Sequence, residues 1–470
     1  MSKNLWILTE ERPKPEVVSQ ILIEFSQERN FAAFVDSIRI IPVLEDSKFR
    51  FVYEVCGFRC NAVEKVFIKT ISGESSMVDF LVFYQKHEPT QVDIPIIAIE
   101  ETKTDDSESR NTGVYQRCSK FVYLKRIYPM TKLIMLYHLS IKQKRTPTKT
   151  YVFGIRMLRT LGVKILGKEY SDSLFEKFKS IEELIAEKNA MPIPPAKSNV
   201  PIRITKTRNK IKISGRLFKN GRLAHDPNIG ALTVISATLR ALGWNGIIEI
   251  TNHGLSQKNL TSDNKFVRIA NSEKIALEKL KLPVATFQHG YWHYETRGEK
   301  LGTIFIHLVA ENFSNARAIF ENHAGCEKGY FIPPNGETPI PLQKYTDRER
   351  YKAGDKNCII NIPDLVLLDL SKTIVIDVEG KKYEFRKNGI EELAGYDAFD
   401  KFYTKKYYPK FKITRTVVLY GSNETKIQEL KVGFLLNKSG QLILGVKAPA
   451  LFKIAVKNLL AFWKKLNIEK

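Results

Sequence analysis

Asp364, Glu379 and Lys381 are the side chains whose types and spacing most directly suggest chemistry in this chain. Pro363-Asp364 opens an apolar run that extends to Leu368, a polar break covers Asp369 to Lys372, and Thr373 to Lys381 reads as a second strand. Side chains alternate along a strand, so Asp377, Glu379 and Lys381 share one face while Ile374, Ile376 and Val378 share the other. Two strands this close predict a hairpin, which brings Asp364 near Glu379 and Lys381. Carboxylates converging on an apolar sheet are costly unless positive charge lies between them. A divalent cation is the natural occupant, and hard oxygen ligands suit magnesium.

A looser version of this layout occurs earlier. A strand read over Ser76 to Tyr84 carries Asp79, and an apolar strand then ends in Glu100-Glu101-Thr102-Lys103. Here 21 residues lie between Asp79 and Glu101, against 14 between Asp364 and Glu379. The choice between Glu100 and Glu101 stays open, although the spacing to Lys103 favours Glu101. Downstream of each strand pair comes a helix with a Lys-Phe pair and a basic pair (Lys120-Phe121 with Lys125-Arg126; Lys401-Phe402 with Lys405-Lys406). A Tyr-Pro follows (Tyr128-Pro129; Tyr408-Pro409), then a strand ending Leu-Tyr (Lys132 to Tyr137; Thr416 to Tyr420). The common order predicts an internal duplication. The intervening helices offer Gln116, and Glu391, Glu392 and Tyr396, as polar residues near the two strand pairs.

Pro363-Asp364 with Glu379-Gly380-Lys381 resembles the PD-(D/E)xK nuclease superfamily, to which most Type II restriction endonucleases belong. Asp79 with Glu101-Thr102-Lys103 matches less closely, with Val78 in place of the proline. The resemblance covers roughly half of the chain. It implies an α/β fold of two restriction-endonuclease-like cores, each a mixed central sheet flanked by helices, joined by a central α+β region. The corresponding boundaries are 1–190, 191–345 and 346–470, the first two segments meeting at the proline run Pro192 to Pro195. It also implies magnesium held by Asp364, Glu379 and the Gly380 carbonyl, and by Asp79, Glu101 and Thr102, with Lys381 and Lys103 polarising the attacking water. The implied activity is that of a sequence-specific double-strand DNA endonuclease, each site cutting one strand to leave 5′-phosphate and 3′-hydroxyl ends. The protein would act on DNA as a monomer or homo-oligomer, with a cognate DNA methyltransferase implied by the family. The alternatives are a nicking, recombination or transposition nuclease of the same superfamily, with one active core, and a DNA-binding protein without catalysis. The last would bind without magnesium and leave DNA intact.

The whole chain is consistent with a polyanionic partner. It carries 74 Lys and Arg against 51 Asp and Glu, a formal net charge of +23. Such an excess favours nucleic acid, because phosphate neutralisation releases counterions. Between Lys197 and Arg222 there is no acidic residue. The alternation through Arg208-Asn209-Lys210-Ile211-Lys212-Ile213 predicts a strand with one basic and one apolar face. Arg203, Lys206, Arg208, Lys210, Lys212, Arg216, Lys219 and Arg222 are therefore the candidate DNA contacts. No apolar run is long enough to span a membrane, and no signal-peptide core opens the chain, so a cytoplasmic protein is expected. Five scattered cysteines suit reduced thiols, with Cys56 and Cys60 expected as half-buried strand residues rather than zinc ligands. His289 and His293 lie in an aromatic-rich segment expected to be a core strand, Ser171 to Lys188 and Ser272 to Leu282 read as helices, and Val432 to Gly445 reads as a hairpin turning at Asn437 to Gly440.

Overall fold

The computed structural model describes residues 3–73, 78–102, 113–137, 149–166, 173–191, 202–216, 218–219, 222–223, 228–286, 292–294, 299–322, 329–334, 337–342, 354–355 and 358–468. The chain is mixed α/β, with several mixed sheets flanked by helices. It divides into two compact units. One comprises Met1–Ser72, Gln85–His87 and Tyr294–Lys470; the other comprises Gly73–Tyr84 and Glu88–His293.

The first unit opens with β1 (Lys3–Thr9), α1 (Pro15–Glu28), β2 (Ala33–Glu45), β3 (Lys48–Cys60) and β4 (Val63–Gly73). Pro15 starts α1, where its missing N–H costs nothing. Val17, Val18, Ile21, Leu22 and Phe25 form its buried face. The strands β2, β3 and β4 form an antiparallel meander, and β1 joins β4 in parallel.

The second unit holds β5 (Phe80–Gln85), β6 (Ile97–Thr102), α2 (Gly113–Ile127), β7 (Lys132–Tyr137), α3 (Lys149–Thr160), β8 (Lys164–Leu166) and α4 (Ile181–Ala190). Within it β5 runs antiparallel to β6, while β7 and β8 continue in parallel. A helix expected over Ser171 to Lys188 is replaced by α4, which starts where the Ser180 hydroxyl accepts the Glu183 N–H at 3.1 Å. A second sheet follows from β9 (Arg203–Lys206) and β10 (Lys210–Ser214), with a two-residue pair β11 (Phe218–Lys219) and β12 (Arg222–Leu223). Then come α5 (Asn228–Ala241), β13 (Ile247–Thr251), α6 (Lys265–Ser272), β14 (Ile275–Leu277) and β15 (Trp292–Tyr294). The order is β14-β13-β10-β9, parallel except for β9. A helix expected over Ser272 to Leu282 is therefore corrected: α6 ends at Ser272, Lys274 turns with φ 51°, and Ile275 to Leu277 pair with Ile248 to Ile250. Ile275 and Leu277, two residues apart and both buried, follow the strand period.

The rest of the first unit begins with α7 (Glu299–Phe313) and β16 (Ala316–Glu321), then a small antiparallel pair, β17 (Gly329–Phe331) and β18 (Ile340–Leu342). Next come β19 (Leu365–Asp369) and β20 (Ile374–Lys382), an irregular helical stretch from Arg386 to Tyr407, β21 (Lys412–Tyr420), β22 (Val432–Leu436), β23 (Leu442–Leu444) and the helix Ala450–Ile468. The sheet runs β16-β19-β20-β21-β22-β23. Its first three strands are antiparallel, β21 and β22 continue in parallel, and β23 turns back. In the β19–β20 turn the Asp369 carboxylate accepts the N–H groups of Ser371 at 3.0 Å and Lys372 at 3.1 Å, and Thr373 takes φ 55°. β16 thus forms the edge of this sheet beside β19. β20 is covered on both faces, so Asp377 is fully buried although it shares the polar face.

Candidate functional site

The register of two neighbouring strands assembles the C-terminal site. Leu365 pairs with Val378, so continuing by one residue sets Asp364 opposite Glu379. Directly opposed residues project to the same face, and their carboxylates converge there. Asp364 stands half-buried at the start of β19. Its N–H donates to the Val378 carbonyl at 3.0 Å, and its Oδ2 accepts the Gly380 N–H at 2.9 Å. Glu379 is buried. Lys381 Nζ lies 2.6 Å from Glu379 Oε1 and 3.1 Å from Glu392 Oε2. The Tyr396 hydroxyl donates to Glu379 Oε2.

Burial, and then the charge of Asp364, push the Glu379 carboxyl up to about 9 against the pull of Lys381. Burial draws Lys381 down, but Glu379 and Glu392 outweigh it and hold the ammonium above its ordinary range. Burial and the neighbouring Glu379 likewise raise Tyr396, which stays a hydroxyl donor. Glu379 is thus a carboxylate short of positive charge beside a second carboxylate. Among the described residues no three His, Cys, Asp or Glu side chains are grouped to share a metal ion. Two carboxylates nonetheless suit magnesium, which keeps several waters and takes one or two protein carboxylates. Asp364, Glu379 and the Gly380 carbonyl would hold it.

Glu392 and Tyr396 come from the helical stretch after β20. The sequence showed them on a helix beside the strands, but their reach to Lys381 and Glu379 depends on how closely that helix packs. Gly389 sets that distance, because a Cβ there would lie 2.8 Å from Lys381 Cγ and 3.3 Å from Val417 Cγ1.

The earlier strand pair repeats this geometry within the second unit. Phe80 pairs with Ile99, so the next register position sets Asp79 opposite Glu100. Asp79 Oδ2 accepts the Glu101 N–H at 2.6 Å, as Asp364 accepts that of Gly380. The register therefore places Glu100, rather than the Glu101 favoured by spacing, at the position of Glu379. Both glutamates are buried. Lys120 Nζ, on α2, lies 2.8 Å and 3.0 Å from the two Glu100 carboxylate oxygens. Thr102 ends β6, and Gln116 lies on α2 with its side chain outside the described set; Lys103 lies outside the described residues.

The parallels extend downstream. The Tyr128 N–H donates to Leu124 O at 2.7 Å and the Tyr408 N–H to Thr404 O at 2.8 Å. Thr131 and Phe411 N–H groups close the next turn onto the Tyr128 and Tyr408 carbonyls at 3.1 and 3.0 Å. Lys132 and Lys412 N–H groups then bind Ile96 O and Thr373 O, each at 3.0 Å.

The basic stripe forms as an alternating strand, with Ile211 and Ile213 buried and Lys212 exposed. Several of its cations have acidic neighbours. Lys206 pairs with Glu182 and lies 5.6 Å above the Trp244 ring centroid, while Lys210 and Lys212 reach Glu249 at 3.2 and 3.8 Å. Arg203 donates to the Asn189 carbonyl, and Arg208 and Arg216 are exposed. Lys219 and Arg222 face each other on β11 and β12, their side chains outside the described set. Cys56 and Cys60 are free thiols on β3. His293 falls on β15, and His289 lies outside the described residues. Among the described residues no helix is long and apolar enough to cross a membrane.

Comparison of the chain with protein-family models, curated proteins and solved structures found no match.

Proposed function

We propose that the protein is a magnesium-dependent, sequence-specific double-strand DNA endonuclease of the Type II restriction kind, with two active sites that each cut one strand. The observation that carries this reading is the convergence of Asp364 and Glu379 on adjacent strands with Lys381 beside them. A bound magnesium ion would supply charge for the scissile phosphate and a water of lowered pKa. The protein's own groups do the rest. Asp364 is fixed by the Gly380 N–H, so its second oxygen keeps a set direction. Tyr396 and Lys381 hold Glu379 in one rotamer. The Lys381 ammonium, one-fifth exposed, adds positive charge where the pentavalent phosphate would develop negative charge.

The second site is supported by the matching register, the matching backbone donor to Asp79 and the matching Tyr-Pro turn. Two sites in one chain suit an asymmetric target, because the two strands of a duplex run antiparallel. The basic strand β10 offers two cations, Lys210 and Lys212, that phosphates could take over from Glu249.

The test is cleavage of a supercoiled plasmid in magnesium by wild type, Asp79→Ala and Asp364→Ala. Wild type should linearise the plasmid and each variant should stop at the nicked circle. A variant indistinguishable from wild type would show that its core does no cutting. Binding without any cleavage across many unrelated plasmids would favour the non-catalytic DNA-binding reading.

A further inference from the structure

We propose that Lys120 is the ammonium group of the N-terminal site, standing to Glu100 as Lys381 stands to Glu379. The inference rests on the nuclease reading above and deepens it.

Four observations converge. First, each aspartate sits one residue before its strand and accepts a backbone N–H from the opposite strand, at 2.6 Å for Asp79 and 2.9 Å for Asp364. This fixes the correspondence of the two sites independently of residue type. Second, that correspondence pairs Glu100 with Glu379 and Glu101 with Gly380. Thr102, two residues beyond Glu100, therefore stands where Lys381 stands beyond Glu379, and a threonine has no amine. Third, an ammonium is nonetheless present. Lys120 Nζ bridges both Glu100 oxygens at 2.8 and 3.0 Å, against 2.6 Å from Lys381 to Glu379. Fourth, the two lysines are alike in access. Each side chain is 20% exposed and reaches a carboxylate that is 0% or 5% exposed.

The sequence separation is explained by the element that delivers Lys120. Phe121 and Leu124 are buried and anchor α2, and the Tyr128 turn fixes its end. In the C-terminal core the corresponding helical stretch already sends Glu392 and Tyr396 to the site. In the N-terminal core it sends the cation itself. A salt bridge from Lys120 to both oxygens of this entirely buried carboxylate fixes the Glu100 rotamer, as a cation ligand requires.

The experiment uses the Asp364→Ala protein, in which only the N-terminal site can nick a supercoiled plasmid. In that background Lys120→Met should lower the nicking rate at saturating DNA by about 100-fold or more, with the half-saturating DNA concentration within about threefold. Lys120→Arg should restore part of the loss. Lys125→Met, on the same helix with its Nζ bonded to Leu161 O at 2.7 Å, is the control and should leave the rate within about threefold. A readout free of activity uses terbium luminescence in the Asp364→Ala/Glu379→Gln protein. Glu100→Gln should abolish terbium binding at the remaining site, while Glu101→Gln and Lys120→Met should retain it. This pair of glutamine variants tests the register even where Lys120→Met folds poorly.

Nicking kept with Lys120→Met would overturn the assignment and leave the nuclease reading standing. Terbium retained after Glu100→Gln, or an Asp364→Ala protein that no longer nicks at all, would also overturn it. Wild-type protein that binds DNA and never cuts it would remove the nuclease reading, and this inference with it.

Discussion

At the scale of single residues, the C-terminal site is a balance between buried carboxylates and one ammonium. Tyr396 is the part of that balance that can be removed with least disturbance. Its hydroxyl donates to a buried carboxylate, and a hydrogen bond to a charged group is worth about 1.5–3 kcal/mol. Tyr396→Phe should therefore slow strand cleavage at that site by about tenfold to a hundredfold, read as accumulation of nicked plasmid. The ring remains to fill the core beside Leu393 and Val417, so the fold should persist with a melting temperature lowered by about a few degrees for the lost hydrogen bond. Asp377, two residues before Glu379, belongs to a different set. Burial and the neighbouring Asp400 hold its carboxyl well above the usual range, and Arg415 bonds Asp400 and Asp397 while lying 3.7 Å from Asp377. From sequence alone Asp377 and Glu379 look alike, because both lie on the polar face of one strand. The packing of the following helix separates their roles.

At the scale of elements, the strands around the site were legible and the helices less so. The β19–β20 hairpin follows from an apolar run, a polar break and a second run. The β22–β23 hairpin follows likewise from its turn at Asn437, whose side chain accepts the Ser439 and Gln441 N–H groups at 3.0 and 2.9 Å. Register was not legible in the earlier strand pair. Spacing to a lysine selects Glu101, whereas the hairpin pairing selects Glu100, and pairing depends on hydrogen bonds that no local pattern specifies. β1 and β4 were not anticipated, and the segment after Ser272 was misassigned because its strand period, Ile275 and Leu277 two residues apart, extends over only three residues. The closeness of helix and strand at Gly389 makes a further prediction. Gly389→Ala places a methyl group 2.8 Å from Lys381 Cγ, so Lys381 or the helix must give way, and displacing Lys381 disturbs its contact with Glu379. C-terminal strand cleavage should fall by at least about tenfold, while magnesium-independent DNA binding stays at the wild-type level. Binding lost in parallel with cleavage would show instead that the helix, and not Lys381, had moved.

At the scale of the molecule, the first unit is tied together by charges that sequence distance conceals. Arg12 Nε meets Glu321 Oε2 at 2.5 Å, Lys14 meets its other oxygen at 3.3 Å, and the buried His307 lies 3.6 Å from Glu321 and 3.3 Å from Glu311. Burial alone would raise both carboxyls. Arg12, Lys14 and His307 outweigh it for Glu321, which lies well below its ordinary range, and His307 and Arg12 bring Glu311 to about 2. Groups whose folded pKa is depressed stabilise the protein above their unfolded value, near 4.3, and lose that contribution as pH falls through the folded value. Stability should therefore decline between about pH 4 and pH 2, by denaturant titration at stepped pH. Glu311→Gln should flatten that decline and lower the neutral-pH plateau. An unchanged pH profile in this variant would mean that the acid sensitivity lies elsewhere. The two-unit division itself was not legible, because composition breaks mark where a chain changes character and not where it returns to an earlier partner.

That return governs how the protein is made. Residues Met1–Ser72 belong with Tyr294–Lys470, and the whole of Glu88–His293 is synthesised in between. At about 5–20 residues per second, the β2–β3 pair waits on the order of 10–40 s for its cover. That cover is α7, the turn between β22 and β23, and the last helix: Phe49 packs on Phe305 at 4.9 Å, its N–H bonds Gly440 O at 2.7 Å, and Trp463 bonds Pro42 O at 2.8 Å. During that interval an unsheltered apolar ribbon trails from the ribosome, inviting chaperones or neighbouring nascent chains. A bacterium or a cell-free system short of holdases should therefore yield aggregates that begin with this ribbon, and silent codon changes that hasten translation of the middle segment should raise the soluble yield.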